Sequence, residues 1–265
     1  MYAFDYHKPS SVADAIAVLK KADDGTFVAG GMTLIPTLKQ RLAQPSDLID
    51  LGGVKELVGI TVSGNTVTIG AMTTHAAVAK SAEVAKAIPA LAALAGGIGD
   101  PQVRNRGTIG GSVANNDPAA DYPAACLALG ATIKTDKREV KADDFFTGLF
   151  ETDLAEDEVI VSVSFPTADK AAYMKFDNPA SRYALVGVFV AKTAGGAKVA
   201  VTGAGQNGVF RVPEMEKALS ANWSADAVAG LKVNAGTLNA DIHASADYRA
   251  HLITVMAKRA VAAAG

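Results

Sequence analysis

The spacing of apolar and polar positions changes several times along the chain, and each change predicts an element. SSVADAIAVLKKADDG, residues 10–25, predicts a helix: Ser10 or Ser11 can cap it, Val12, Ile16 and Leu19 share a face, and Gly25 stops it. TFVAGG (26–31) is short and strand-like and ends in paired glycines, MTLIPTLKQRL (32–42) reads as a helix, and LIDLGGV (48–54) as another short strand. VGITVSGNTVTIGA (58–71) alternates on both sides of Ser63-Gly64-Asn65, the pattern of a hairpin. From Thr74 to Leu94 the alanine-rich text predicts one or two helices with a break at Pro89. Residues 96–121, GGIGDPQVRNRGTIGGSVANNDPAAD, have neither period and read as a long loop, which in a compact domain is usually functional.

A helix at YPAACLALG (122–130) and strands around ATIK, REVK and EVIVSVSFP complete this part. Past Pro166 the pattern restarts as three strand-like runs, YMKF, ALVGVFVAK and AKVAVTG, and closes on helical text, most clearly SADYRAHLITVMAKRAVAAA (245–264). The restart places a boundary near 166–171.

Composition narrows the possible functions. A net charge of -2 in 265 residues gives no bulk attraction to nucleic acid, and no run reaches the roughly 20 apolar residues of a transmembrane segment. The opening MYAFDYHKPSS lacks the apolar core of a secretory signal, so a cytoplasmic location is expected. Cys126, the single cysteine, excludes an internal disulfide and any cluster built from several thiolates of this chain; in its apolar setting it reads as a buried, inert thiol. The four histidines are scattered without metal-ligand spacing.

Three glycine-rich stretches compete as phosphate sites. Gly203-Ala204-Gly205-Gln206-Asn207-Gly208 follows a strand-like run, as a dinucleotide fingerprint would, but VFRVPEMEKAL comes next where that fingerprint needs a helix at once; a turn leading to a helix near Pro213 is the simpler reading. Gly30-Gly31, between a strand and a helix beginning near Pro36, and Gly110-Gly111, inside RGTIGGS, have better surroundings. Without side chains, such backbone can bring N–H groups close to an anion, and two uncharged loops converging would suit a pyrophosphate. Ordinary turns explain the same residues.

AGGMTLIPTLK, IGAMTT, RNRGTIGGSVANNDPAADYPAACLALGA, YMKFDNPASRYALVGV and SADYRAHL closely resemble, in order from about residue 2 to about 262, the FAD-binding medium subunit of molybdenum hydroxylases, the family of aerobic carbon monoxide dehydrogenase and xanthine dehydrogenase. The resemblance implies an α+β fold: a two-part FAD domain of the vanillyl-alcohol-oxidase (PCMH) type over 1–168, divided at about 55 and 56, and a smaller domain over 169–265 with a three-stranded antiparallel sheet and helices. It implies that Ala29, Gly30, Gly31, Met32, Thr33 and Leu34 form one pyrophosphate loop, and Thr108, Ile109, Gly110, Gly111 and Ser112 the other. It likewise implies that Asp121 contacts the cofactor, that Ile98 and Ile160 are apolar contacts, that Lys175 lies near the flavin end, and that Tyr183 lies against the isoalloxazine. The chain departs from many relatives at Met32 and Thr33, and from carbon monoxide dehydrogenases at Ser112 and in PASRYAL. No histidine stands in the first loop, so non-covalent FAD is expected.

The implied role is an electron-exit subunit. A large partner carries the molybdenum pterin, a small partner carries [2Fe-2S] clusters, and FAD on this chain passes electrons to NAD, a quinone or oxygen, in a heterotrimer or a dimer of trimers. The alternatives are a flavin-free docking subunit and an NAD-dependent dehydrogenase built on the GAGQNG loop.

Overall fold

The computed structural model describes residues 1–265. The chain begins with β1 (Asp5–His7), α1 (Val12–Leu19), β2 (Gly25–Val28), α2 (Leu34–Lys39) and β3 (Asp47–Asp50), the strands forming a parallel sheet in the order β1-β3-β2. Ser11 caps α1 by accepting from Asp14 N, and Ala15 packs among Ile49, Leu51, Val54 and Leu57. Gly25 does not stop α1, which ends at Leu19; it opens β2 instead. A Cβ there would stand 2.8 Å from Leu19 Cδ1 and 2.9 Å from Ala22 Cβ, so the bare backbone lets the strand return beneath the helix.

Next come β4 (Ile60–Ser63), β5 (Thr66–Gly70), α3 (His75–Lys80), α4 (Ala82–Ala87), α5 (Pro89–Gly96), α6 (Pro101–Arg106), α7 (Ile109–Asn115) and α8 (Tyr122–Leu129). After them follow β6 (Thr132–Thr135), β7 (Glu139–Lys141), α9 (Ala142–Phe145), β8 (Phe146–Gly148), β9 (Glu151–Thr152) and β10 (Ile160–Pro166). An antiparallel sheet, β4-β5-β10-β6-β7, shares a core with helices α3, α4, α5, α7 and α8, and the β4-β5 hairpin turns at Gly64 with φ +54°.

Two expectations need correction in this part. Residues 74–94 hold three helices rather than one or two, because Ser81 caps α4 and Pro89 begins α5. The stretch read as a loop, 96–121, contains α6 and α7. Asp100 caps the first by accepting from Val103 N and Thr108 caps the second by accepting from Gly111 N; elements of six or seven residues are too short to show a period.

The last part comprises β11 (Lys170–Asp177), β12 (Ala184–Thr193), β13 (Gly196–Thr202), β14 (Phe210–Arg211), α10 (Pro213–Ala221), α11 (Ala225–Ala229) and α12 (Ala246–Ala264). Its antiparallel sheet has four strands, β11 to β14 in order, not three: the extra one is two residues long, too brief for alternation to reveal. β12 is buried on both faces. Phe189 and Ala191 join the core of α8, while Val186, Val188 and Val190 join the core of α12, which explains why ALVGVFVA reads as a continuous apolar run. Arg249 of α12, itself buried, donates to Leu185 O at 2.7 Å, Gly203 O at 2.9 Å and Asp241 Oδ2 at 2.6 Å.

The GAGQNG stretch is a turn. Gly203 and Gly208 take φ of +83° and +93°, the antiparallel β14 follows, and the next helix starts only at Pro213. No helix is long and apolar enough to cross a membrane.

Candidate functional site

Ala29, Gly30, Gly31, Met32, Thr33, Leu34, Ile98, Thr108, Gly110, Gly111, Ser112, Asp121, Ile160 and Tyr183 line one cavity of about 580 Å³. Ile109 does not; it is fully buried in the core beneath the second loop. Lys175 lies behind the wall rather than on it, bonded to Asp121.

The first loop leaves β2 at Val28 and turns at Gly31, where φ is +73°. The backbone N–H groups of Gly30, Gly31, Met32 and Thr33 donate to nothing within the chain. Gly30 has no room for a side chain: a Cβ would stand 2.2 Å from Arg106 O and 2.8 Å from Gly107 Cα. This close approach brings together two segments more than seventy positions apart.

The second loop works differently from the open nest that its glycines suggested. From Ile109 onward its N–H groups are committed: Ile109 N donates to Thr73 O at 3.1 Å, Gly110 N to Ala71 O at 2.8 Å, Gly111 N to Thr108 Oγ1 at 3.2 Å and Ser112 N to Thr108 O at 3.0 Å. Gly110 is needed for packing, because a Cβ would lie 2.5 Å from Ala71 Cβ. The second loop is thus a fixed wall offering hydroxyls, facing a first loop whose donors are free.

Asp121 opens α8 and is buried; Tyr173 donates to its Oδ1, and Lys175 Nζ donates to its Oδ2 at 3.1 Å. Lys175, only 7% exposed, also donates to Gly97 O at 3.2 Å and approaches Asp177 at 3.5 Å. Burial pushes the Asp121 carboxyl up, against the opposing pull of Lys175 and of the Tyr173 hydroxyl. Tyr183 is 51% exposed at the mouth of the cavity, on a turn in which Asn178 Oδ1 accepts from Ala180 N at 2.9 Å and Ser181 N at 3.2 Å, and Arg182 takes φ +59°. The segment leading to Asp121 is fastened from the other side by Thr202 Oγ1, which donates to Ala120 O at 2.6 Å, and by Gly203 N, which donates to Pro118 O at 2.7 Å.

The titratable residues on this wall that the predicted site leaves out are His75, Asp117, Glu158 and Arg182, of which His75 and Glu158 are the most shifted. Neither has a local signal: His75 is placed by pairing between Thr74 and Thr108, and Glu158 by Arg138, Thr135 and Ala155 N. Burial, aided by Arg104, lowers the His75 pKa to about 4, and hydrogen bonding to Arg138 lowers that of Glu158 to about 2. Both shifts make the unfolded chain bind more protons than the folded one, so both contributions are lost on acidification. The melting temperature of the ligand-free chain is therefore expected to fall as the pH drops from 6.5 to 4, through His75, and again from 4.5 to 2, through Glu158. His75→Gln should flatten only the upper window in a series of calorimetric melts.

Cys126 is buried and its thiol is pushed up by burial, and no group of three or more His, Cys, Asp and Glu side chains could hold a metal ion.

A family model described as FAD binding domain in molybdopterin dehydrogenase matches residues 2–168. The chain is 35% identical to the nicotine 6-hydroxylase medium subunit of Paenarthrobacter nicotinovorans over 276 residues, covering 99% of this chain and 98% of that one. It is 36% identical to the carbon monoxide dehydrogenase medium chain of Hydrogenophaga pseudoflava over 277 residues, with 98% and 96% covered. Among solved structures, reconstituted carbon monoxide dehydrogenase from Oligotropha carboxidovorans superposes with a TM-score of 0.90 at 35% identity, covering 99% of this chain and 98% of that one.

Proposed function

We propose, from the premise that this chain belongs to the family of FAD-binding medium subunits of molybdenum hydroxylases, that it is the electron-exit subunit of such a complex. It is an oxidoreductase subunit and FAD is its cofactor, while molybdenum and iron–sulfur centres belong to other subunits of these complexes. A bound flavin couples one-electron carriers to two-electron acceptors. In this reading the electrons arrive from [2Fe-2S] clusters on a small partner and leave to NAD, a quinone or oxygen, and the substrate is handled by a large partner.

The residues present fit the cofactor. The observation that carries the reading is the row of free N–H groups at Gly30 to Thr33, held against Arg106 and Gly107 on the cavity wall. Such a row can take a diphosphate without a cationic side chain. In this proposal Thr108 and Ser112 add hydroxyl donors, Asp121 accepts from sugar or ribityl hydroxyls, Ile98 and Ile160 supply apolar contact, and Tyr183 covers the ring. Lys175 then acts through Asp121: it holds the carboxylate ionised and in place. No general acid or base is required of this chain; its work is to bind and orient the ring and to limit access to it.

A division into a PCMH-type domain over 1–168 and a smaller domain over 169–265, and a cytoplasmic location, are parts of the same proposal. Support for the division comes from the matched residues, 2–168, and from the separate sheets on either side.

The full chain, purified and mixed with FAD, is expected to retain it in a one-to-one ratio through gel filtration and to release it as free fluorescent FAD on acid precipitation. Retention of flavin on the precipitate would exclude non-covalent binding. A colourless chain that cannot be loaded would favour a docking subunit without flavin.

A further inference from the structure

A neutral imidazole carries one N–H and one bare nitrogen, and a buried N–H is normally paired. His75 is 4% exposed and neither of its nitrogens has a partner in the chain. Nδ1 is sealed off without one, whereas Nε2, equally unbonded, keeps open surface where the ring lines the cavity. Whichever tautomer forms, the chain provides no acceptor for its proton.

The ring stands at the seam between the two loops. His75 N donates to Gly107 O at 3.0 Å, and a Cβ on Gly107 would lie 2.6 Å from Nε2. Gly107 is also the residue that Gly30 approaches from the other side. Nε2 therefore lies against the same glycine that the first loop touches. Burial and the nearby Arg104 guanidinium keep the ring neutral at pH 7, so it acts as a donor and not as a charge.

We propose that His75 donates a hydrogen bond from Nε2 to a diphosphate oxygen of the bound FAD, a side-chain contact added to the backbone row of the first loop. The assignment rests on the FAD reading above. An anionic phosphate oxygen satisfies the stranded donor more strongly than a cavity water can.

The test uses the full chain in three forms: wild type, His75→Phe and His75→Gln. By quenching of flavin fluorescence, His75→Phe is expected to bind FAD about tenfold to a hundredfold more weakly, with His75→Gln, whose amide can still donate, recovering part of the loss. In the wild type, nitrogen NMR of labelled histidine should show the His75 Nε2 signal moving on addition of FAD or ADP and not on addition of adenosine. Wild-type affinity in His75→Phe, or an Nε2 signal that ignores FAD and ADP, overturns the assignment while leaving FAD binding intact. If His75→Phe does not fold, the wild-type NMR titration decides alone. A wild-type chain that takes up no FAD overturns the FAD reading and the His75 contact together.

Discussion

Gly30→Ala is expected to strip FAD from the protein. The added methyl would stand 2.2 Å from Arg106 O and 2.8 Å from Gly107 Cα. Both obstacles are backbone, so no side chain can rotate away, and the two loops have to move apart. That movement turns the N–H groups of Gly30 to Thr33 away from their common target. Hydrogen bonds to a charged group contribute about 1.5–3 kcal/mol each, so misaligning two of them weakens binding by roughly a hundredfold or more. Gly205→Ala is the matched control: its Cβ would meet Gly208 O at 2.5 Å and the Phe210 ring at 2.7 Å, which strains a turn outside the cavity. It should lower the melting temperature without changing the FAD affinity of the folded fraction. Equilibrium titration of both variants separates the cases, and native affinity in Gly30→Ala would remove the first loop from the site.

Asp121→Ala is expected to cost the largest amount of stability. The carboxylate is the acceptor for the Tyr173 hydroxyl and the close counter-charge for Lys175, which is almost fully buried. Removing it leaves an ammonium and a hydroxyl enclosed with nothing of opposite sign nearby except the more distant, exposed Asp177. Breaking a buried pair in this way costs about 3–5 kcal/mol, which for a chain of this size corresponds to roughly 10 °C in melting temperature. Asp121→Ala combined with Lys175→Met should recover much of the loss, because no unpaired charge remains. Urea unfolding of the single and double variants measures the coupling; additive losses would show that the two side chains do not stabilise each other.

The elements with a long, regular period were legible in the sequence: the hairpin around Gly64, the strands on either side of Pro166 and the helix that ends the chain. Both glycine pairs stood out by their place between predicted elements, with ordinary turns as the competing reading, whereas Asp121 was indicated only by the resemblance to the family. What could not be read was whatever depends on contact between distant segments. Gly25 is a glycine because of Leu19 and Ala22 above it, and Gly110 because of Ala71 behind it, so neither serves the purpose that its neighbours in sequence suggest. The second loop resembles an anion nest in text, and only the positions of Thr73 and Ala71 reveal that the Ile109 and Gly110 donors are taken. His75 sits in alanine-rich helical text with no feature of its own, and its place at the seam is set by the pairing of Thr74 with Thr108. α6 and α7 were hidden by their brevity.

The two-faced burial of β12 limits how a large ligand can reach the cavity. Because Phe189 and Ala191 are locked among the side chains around α8 while the alternate valines are locked under α12, the two ends of the polypeptide cannot swing open like the halves of a clamshell without tearing a shared interior. Loading and release of a dinucleotide then fall to small excursions at the rim, where Tyr183 stands half exposed on the turn that carries Arg182.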